Sequence, residues 1–508
     1  MIVIWILGGS FFMIRHVIKI IALILLCSTI LLVACNQDFR IDSIAEQKDG
    51  SNNYSKLSEY EIVWYNMDEP QKDTEIVLKE VNKYLKEKIN ATLKLKLIDF
   101  NNYDKEIKSV ISSGQKFDIC FTSVWINSYV YNSLKGSFLE LDSLMEKYGN
   151  KTLEYMPKVL KDGAKVNGKI YAIPSIKELG HQFCITLNKK YIDKYGFDVS
   201  TITELDDLEP MFDMIKKNEP EVVPYLIYSY SSSAFSMPME RIIEQVPSAL
   251  YFDNRTNYKL VNTFQTPEFQ QYAALMHSWF NKGYILQDAA TIKSIDSYEK
   301  TGNWFAGAYS YNPLVEIQLS RRLGYEVLTV PLRQPFITKK DIEYHMQAIS
   351  STSEDAERVM MFLELLNTDE YLYNLLAYGI EGIHYQRVSE KVIDVCSDRY
   401  YAANHTFGNR ELAYSMSYYP KTLKEDFEEF DSRAIISPLL QFNFDPISVE
   451  SEIASITEVT EDVEGPVFVG AVDPEIYIPK VIEKYKSAGL DKVIDEQQRQ
   501  ISEWVSKK

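Results

Sequence analysis

The chain has 508 residues, about three domains' worth at ~150 residues each, and its 46% hydrophobic content excludes a disordered polymer. Five cysteines exclude a disulfide scaffold. The formal charge of −18, from 72 acidic against 54 basic residues, argues against nucleic acid as partner, because such binders neutralise phosphates with cations.

Residues 20–34 (IIALILLCSTILLVA) carry no charge and follow Arg15 and Lys19. A basic flank before an apolar run of this length reads as a secretory signal, since a membrane-spanning helix needs about 20 apolar residues. The run ends Leu32-Val33-Ala34-Cys35, which resembles a bacterial lipobox: small Ala34 precedes the cleavage point and Cys35 carries the lipid. Translation from Met13 would give a more ordinary signal than one preceded by the apolar residues 1–12. Removing residues 1–34 leaves 474 (508 less 34) with a charge of −20, from 52 basic and 72 acidic residues. Cys120, Cys184 and Cys396 then remain, an odd set read as small core hydrophobes.

Residues 36–58 are polar and aperiodic, so 35–58 reads as a lipidated tether. A strand is predicted at Glu61-Ile62-Val63-Trp64-Tyr65, then a helix over 73–88 with apolar residues at 76, 77, 81 and 85. Leu93, Leu95 and Leu97 alternate with lysines as a second strand; 103–113 is helical and 117–121 a short buried strand. This βαβαβ order predicts a parallel sheet covered by helices, with ligands beyond the carboxyl ends of its strands.

Three further stretches carry a resemblance. They are Gly136-Ser137-Phe138-Leu139-Glu140-Leu141-Asp142, then Val166-Asn167-Gly168-Lys169-Ile170-Tyr171-Ala172-Ile173-Pro174, then Ser353-Glu354-Asp355-Ala356-Glu357-Arg358, with Ser353 as helix N-cap. In this order, behind a lipobox, they resemble the family 1 extracellular solute-binding lipoproteins of carbohydrate ABC importers. Tyr378 to Tyr385 and the tail from Pro438 resemble a Firmicutes subgroup with its own C-terminal extension. The resemblance implies an α/β, type II periplasmic-binding-protein-like fold whose two hinged lobes close on a ligand. It places lobe one at 59–173 plus 303–345, lobe two at 174–302 plus 346–435, and a helical extension at 436–508. In that extension Asp445-Pro446 and Asp473-Pro474 read as N-caps with Pro at the first position. Ile494, Ile501 and Val505 line a final helix, with Trp504 at its edge, packed on a lobe.

Catalytic patterns find little support. Gly163 to Lys169 fits seven positions of a phosphate loop, but the eighth is Ile170 where a hydroxyl is needed. A turn before the crossing strand explains the stretch better. The histidines form no i,i+4 pair, so no metal or other cofactor is expected; His181, His277, His345 and His405 read as isolated. Acidic pairs suited to glycoside hydrolysis are a matter of spatial separation, which the sequence does not contain.

The aromatics are more informative, because sugar sites pair aromatic platforms with planar polar groups. Candidate ligand-binding residues are Trp64 with Asn66 and Ser123 with Trp125 at strand ends, Tyr171 at the crossing, Trp304 and Tyr309 in a strand running into a loop, and Glu381, His384 and Tyr385 further on. Trp279 and Trp504 are assigned to the core. The expectation is a monomeric, non-catalytic protein, lipid-anchored through Cys35 on the outer face of the cytoplasmic membrane. It would capture a carbohydrate, an oligosaccharide, and pass it to ABC permease subunits driven by a separate ATPase subunit. A surface-anchored glycoside hydrolase and a sugar-sensing protein serving a sensor kinase are the alternatives.

Overall fold

The structure is a computed structural model and describes residues 57–229 and 237–508; the signal, Cys35 and nearly all of the tether lie outside the described residues. The first lobe begins with β1 (Tyr60–Met67), α1 (Thr74–Ile89), β2 (Ala91–Ile98), α2 (Phe100–Ser112) and β3 (Ile119–Thr122). β1 pairs in parallel with both β2 and β3, as the alternating pattern predicts. All four residues of β3 are buried, as a central strand covered on both faces requires. β2 is an edge strand that exposes Lys94 and Lys96, charges that discourage further pairing. α1 buries Val77, Val81, Leu85 and Ile89, while Ile76 faces solvent, one position off the predicted stripe. A short helix, α3 (Tyr129–Leu134), follows β3, and β4 (Ala172–Pro174) closes the segment.

The second lobe contains β5 (Gln182–Asn188), β6 (Val223–Leu226), α4 (Pro267–Lys282), β7 (Trp304–Tyr311) and β8 (Val327–Pro331). Its sheet runs β8-β5-β7-β6, with β5 antiparallel to β7 and β8. The chain then returns: β9 (Met346–Ile349) sits between β3 and β4, completing the order β2-β1-β3-β9-β4 in lobe one. The expected interleaving is therefore corrected. The strands at 304–311 and 327–331 belong to lobe two and the strand at 346–349 to lobe one, because sheet membership follows nonlocal pairing rather than local pattern. α5 (Ala356–Thr368) and α6 (Glu370–Tyr378) also enter the core of lobe one. The cap of α5 is Asp355, which accepts from Arg358 N at 3.0 Å; Ser353 instead donates to Asp118 at 2.6 Å.

Three segments cross between the lobes side by side. Ser175 N donates to His345 O at 2.9 Å, Ile176 N to Gly408 O at 3.0 Å, and His181 N to Phe336 O at 2.9 Å. The phosphate-loop look-alike is a hairpin, with Lys165-Val166 paired to Lys169-Ile170 around Asn167 (φ 50°) and Gly168 (φ 85°). Cys120 and Cys184 are buried as expected, but Cys396 is exposed.

The tail forms α7 (Glu450–Phe468), α8 (Pro474–Ser487) and α9 (Leu490–Val505). Asp473 caps α8 by accepting from Glu475 N at 3.0 Å; Asp445 accepts from Ile447 N at 3.1 Å ahead of a short 3₁₀ turn instead of capping α7 directly. These helices share one apolar core with lobe two: Ile456, Val463 and Val467 pack with Phe264, Phe269 and Tyr272. Contact is close enough at Gly470 (φ +76°) that a Cβ there would lie 2.2 Å from Met276 backbone atoms. Ile501 packs with Leu250, Leu260 and Phe442, with Trp504 alongside, so the final helix is a packing helix.

Candidate functional site

The strands of lobe one end on a common edge that faces lobe two, and what leaves that edge is aromatic. After β2, Asp99 caps α2 by accepting from Asn101 N at 3.0 Å, which leaves Phe100 62% exposed at the first helical position. After β3 the chain turns tightly. Ser123 Oγ accepts from Trp125 N at 3.3 Å, and Asn127 (φ 48°) donates its side-chain amide to Phe121 O at 2.8 Å. That turn presents Trp125, 37% exposed, stacked on Phe100 with ring centroids 5.5 Å apart. Trp125 Nε1 donates to Tyr344 O at 3.3 Å, and the Tyr344 ring, 44% exposed, lies 5.8 Å away. Tyr344 adjoins His345 at 5.1 Å, and His345 adjoins His405 at 5.0 Å. Five rings thus form one run along the edge, with Phe100, Trp125, Tyr344 and His405 open to solvent and His345 buried.

The histidines in this run are neutral. Burial, reinforced by Lys177 and other nearby cations, pushes His345 down to about 2; burial with Arg410 and Lys177 pushes His405 down to about 4. His345 Nδ1 is buried without a hydrogen-bond partner. Beside them Arg410 pairs with Glu178 at 2.5 Å, while burial holds the Lys177 ammonium below its usual range. Across the crossing, His181 bridges Asp341 at 2.9 Å and Ser310 Oγ at 3.1 Å. Burial opposes its charge, but the Asp341 carboxylate outweighs burial and raises its pKa.

A cleft of about 1620 Å³ opens between the lobes, walled by Trp125 and Tyr344, by lobe-two residues including Ser310 and Glu240, and by the tail. Burial raises the Glu240 carboxyl to about 7, although Ser437 bonds to it. Among the described residues no group of His, Cys, Asp and Glu could hold a metal, and no helix is long and apolar enough to cross a membrane.

The other sequence candidates fall elsewhere. Trp64 is buried, its Nε1 donating to Gln347 Oε1 at 2.8 Å, and it meets Phe407 edge-on at 5.6 Å. Asn66 is buried and donates to Thr406 Oγ1 at 3.2 Å. Neither offers a face to a ligand; together with Gln347, which donates to Thr406 O at 2.9 Å, they anchor the segment carrying His405. Trp304 is buried with Nε1 donating to Tyr325 OH at 2.6 Å, and the hydroxyl of Tyr309 is tied to Glu299, which also pairs with Arg322 at 2.7 Å. Tyr171 is half-buried and its backbone N donates to Tyr129 OH at 3.0 Å, away from the ring run. His384 is buried against Asp73 at 3.2 Å, Tyr385 is buried, and Glu381 pairs with Arg387 at 3.2 Å, forming a separate polar cluster. The sequence reading nominates Trp125 and Ser123 because they follow a strand; the structure puts Trp125 on this edge, with buried Ser123 holding its turn. It does not nominate Phe100, which also follows one, or Tyr344, His345 and His405, which the returning chain brings to the same edge. Trp279 is buried, as assigned.

Comparison with known proteins agrees with this architecture. Residues 438–506 match a domain of unknown function, DUF3502. A carbohydrate ABC transporter substrate-binding protein from Streptococcus pneumoniae is 29% identical over 458 residues, covering 88% of this chain and 91% of that protein. A polygalacturonan/rhamnogalacturonan-binding protein, YtcQ, from Bacillus subtilis is 22% identical over 69% of this chain and 70% of that protein. The crystal structure of the N-glycan transport solute-binding protein NgtS from Streptococcus pneumoniae superposes with a TM-score of 0.82 at 27% identity, covering 88% of this chain and 99% of NgtS. NgtS in complex with Man5GlcNAc gives 0.70 at 28% identity, covering 89% and 99%. In sequence, fold and C-terminal domain, the chain is a homologue of the substrate-binding proteins of carbohydrate ABC transporters, built on the type II solute-binding fold.

Proposed function

We propose that the chain is the substrate-binding component of a carbohydrate ABC importer and captures an oligosaccharide between its lobes. The observation that carries this reading is the exposed ring run Phe100–Trp125–Tyr344 on the edge of lobe one. Solvent-facing rings cost hydration free energy unless something covers them, and the apolar C–H faces of sugars do so while hydroxyls reach the neutral imidazoles and amides around them. The TM-score to NgtS falls from 0.82 to 0.70 when that protein holds Man5GlcNAc, which supports an open arrangement that closes about the three crossing segments on loading. Only the ligand's preference for the closed state is needed to drive that motion. Energy for transport then comes from a separate ATPase subunit through the permease. The protein acts as a monomer held to the outer face of the membrane by the lipid on Cys35, after removal of residues 1–34.

The reading predicts binding without turnover. Thermal-shift screening against neutral and acidic oligosaccharides identifies the ligand by a raised melting temperature, and prolonged incubation leaves that ligand intact. One observation favours a second reading: Glu240, raised to about 7 inside the cleft, has the protonation behaviour of a general acid. Steady release of shorter sugars, abolished in Glu240→Gln, would establish the hydrolase instead. Mass spectrometry of the mature amino terminus tests the anchor; an unmodified Cys35 removes it.

A further inference from the structure

The matched domain of unknown function is not a remote appendage. Its first residues, Leu439, Phe442, Asn443, Phe444, Glu450 and Ile453, line the same cleft as Trp125 and Tyr344. Across from them stand Tyr131, with the Lys135 ammonium 4.2 Å from its ring centroid, and the Asp104–Lys108 pair at 2.6 Å. We propose that DUF3502 builds a distal glycan-binding subsite of this cleft, where it selects for longer oligosaccharides. The inference rests on the oligosaccharide reading above.

Three observations carry it. At about 1620 Å³ the cleft exceeds the roughly 300–1,000 Å³ that suits a compact small-molecule ligand, so a chain of several sugar residues is the occupant it fits. Second, the wall has the mixed chemistry sugars need: half-buried Phe444 and Tyr131 supply ring faces, and Asn443, Gln245 and Glu450 supply polar groups. Asn443 is informative by itself. Its amide nitrogen donates to Lys165 O of lobe one at 3.0 Å, while its Oδ1 is shielded and accepts from nothing. Asn443 lines the cleft, so a turn of its amide would offer this oxygen to a sugar hydroxyl. Third, the helices of the domain are tied to lobe two. Tyr272 OH donates to Phe468 O at 2.9 Å, Thr460 Oγ1 to Gln245 O at 2.6 Å, and Arg241 pairs with Glu464 at 2.8 Å in a buried setting. The 439–446 segment, bonded to lobe one through Asn443 and continuous with helices held by lobe two, therefore spans the lobes on the α3 side of the cleft, and only a ligand long enough to extend past Trp125 meets it.

The test uses the full mature chain and calorimetric titration with ladders of mannan, chitin and pectin fragments from disaccharide to octasaccharide. Asn443→Ala, Phe444→Ser and Tyr131→Ala are compared with Glu458→Gln, an exposed control on the far side of α7, and melting temperatures confirm folding. The expected result is a longest-ligand affinity about tenfold weaker in each cleft variant, with disaccharide affinity within about twofold of wild type. Equal weakening at every length, or no weakening at any, overturns the subsite while leaving the oligosaccharide reading intact. A wild type that binds no member of any ladder overturns that reading, and the subsite with it.

Discussion

Lobe one and lobe two both bring aromatic residues to the ends of their strands, yet they use them in opposite ways. On lobe one Phe100 stacks on Trp125, Tyr344 tilts against Trp125, and all three keep a face in solvent. On lobe two Trp304, Tyr309 and Tyr325 are gathered by Glu299 and Arg322 into a closed network, with the indole buried. The two sets have the same residue types in similar places. What separates them is exposure: the lobe-two indole is closed in, whereas the lobe-one rings keep a face in solvent, and that decides between ligand platform and structural pin.

The sharpest way to break this contrast is to truncate the buried rings. Trp64→Ala and Trp304→Ala each remove a fully buried indole, and Trp64→Ala also leaves the buried Gln347 Oε1 without its donor, so unfolding free energy should drop by about 3–5 kcal/mol in denaturant titrations. A loss below ~1 kcal/mol would mean these rings are not pins. Trp125→Ala should do the reverse. Stability stays within about 0.5 kcal/mol, because the ring is partly exposed, while oligosaccharide affinity falls about 10- to 100-fold by calorimetry.

Acidity sharpens the contrast along a second axis. His405, unfolded near 6.5 and folded at about 4, contributes stability that is present above pH 6.5 and lost as pH falls towards 4. Glu240 behaves oppositely: its folded value of about 7 exceeds the ordinary 4.5, so its stabilising contribution is complete below pH 4.5 and is lost as pH rises towards 7. In Glu240→Gln the melting temperature should stop declining across pH 4.5–7; an unchanged slope contradicts the burial of that carboxyl. The smallest effect belongs to Glu381→Gln, whose side chain pairs with Arg387 outside the ring run, and sugar affinity should stay within about twofold.

Much of lobe one was legible from local pattern. The βαβαβ opening, the lysine-flanked edge strand, the Asp473-Pro474 cap and the packing role of the last helix follow from periodicity and capping chemistry, which act over a few residues. Sheet membership was not, because β7 and β9 each choose partners more than a hundred residues away. The same limit explains the site. Trp125 could be found as a residue after a strand, whereas Tyr344 and His405 reach the edge only when the chain crosses back. The 61–65 pattern reads Trp64 as lying near a strand end, whereas β1 runs on to Met67 and holds it mid-strand with its ring in the core.

The most direct test of the central claim is a titration of wild type and Trp125→Ala with the oligosaccharide that most raises the melting temperature, with small-angle scattering on the same samples. The account predicts tight binding with a fall in radius of gyration for wild type, and at least tenfold weaker binding for Trp125→Ala. Equal affinities in the two proteins would contradict it.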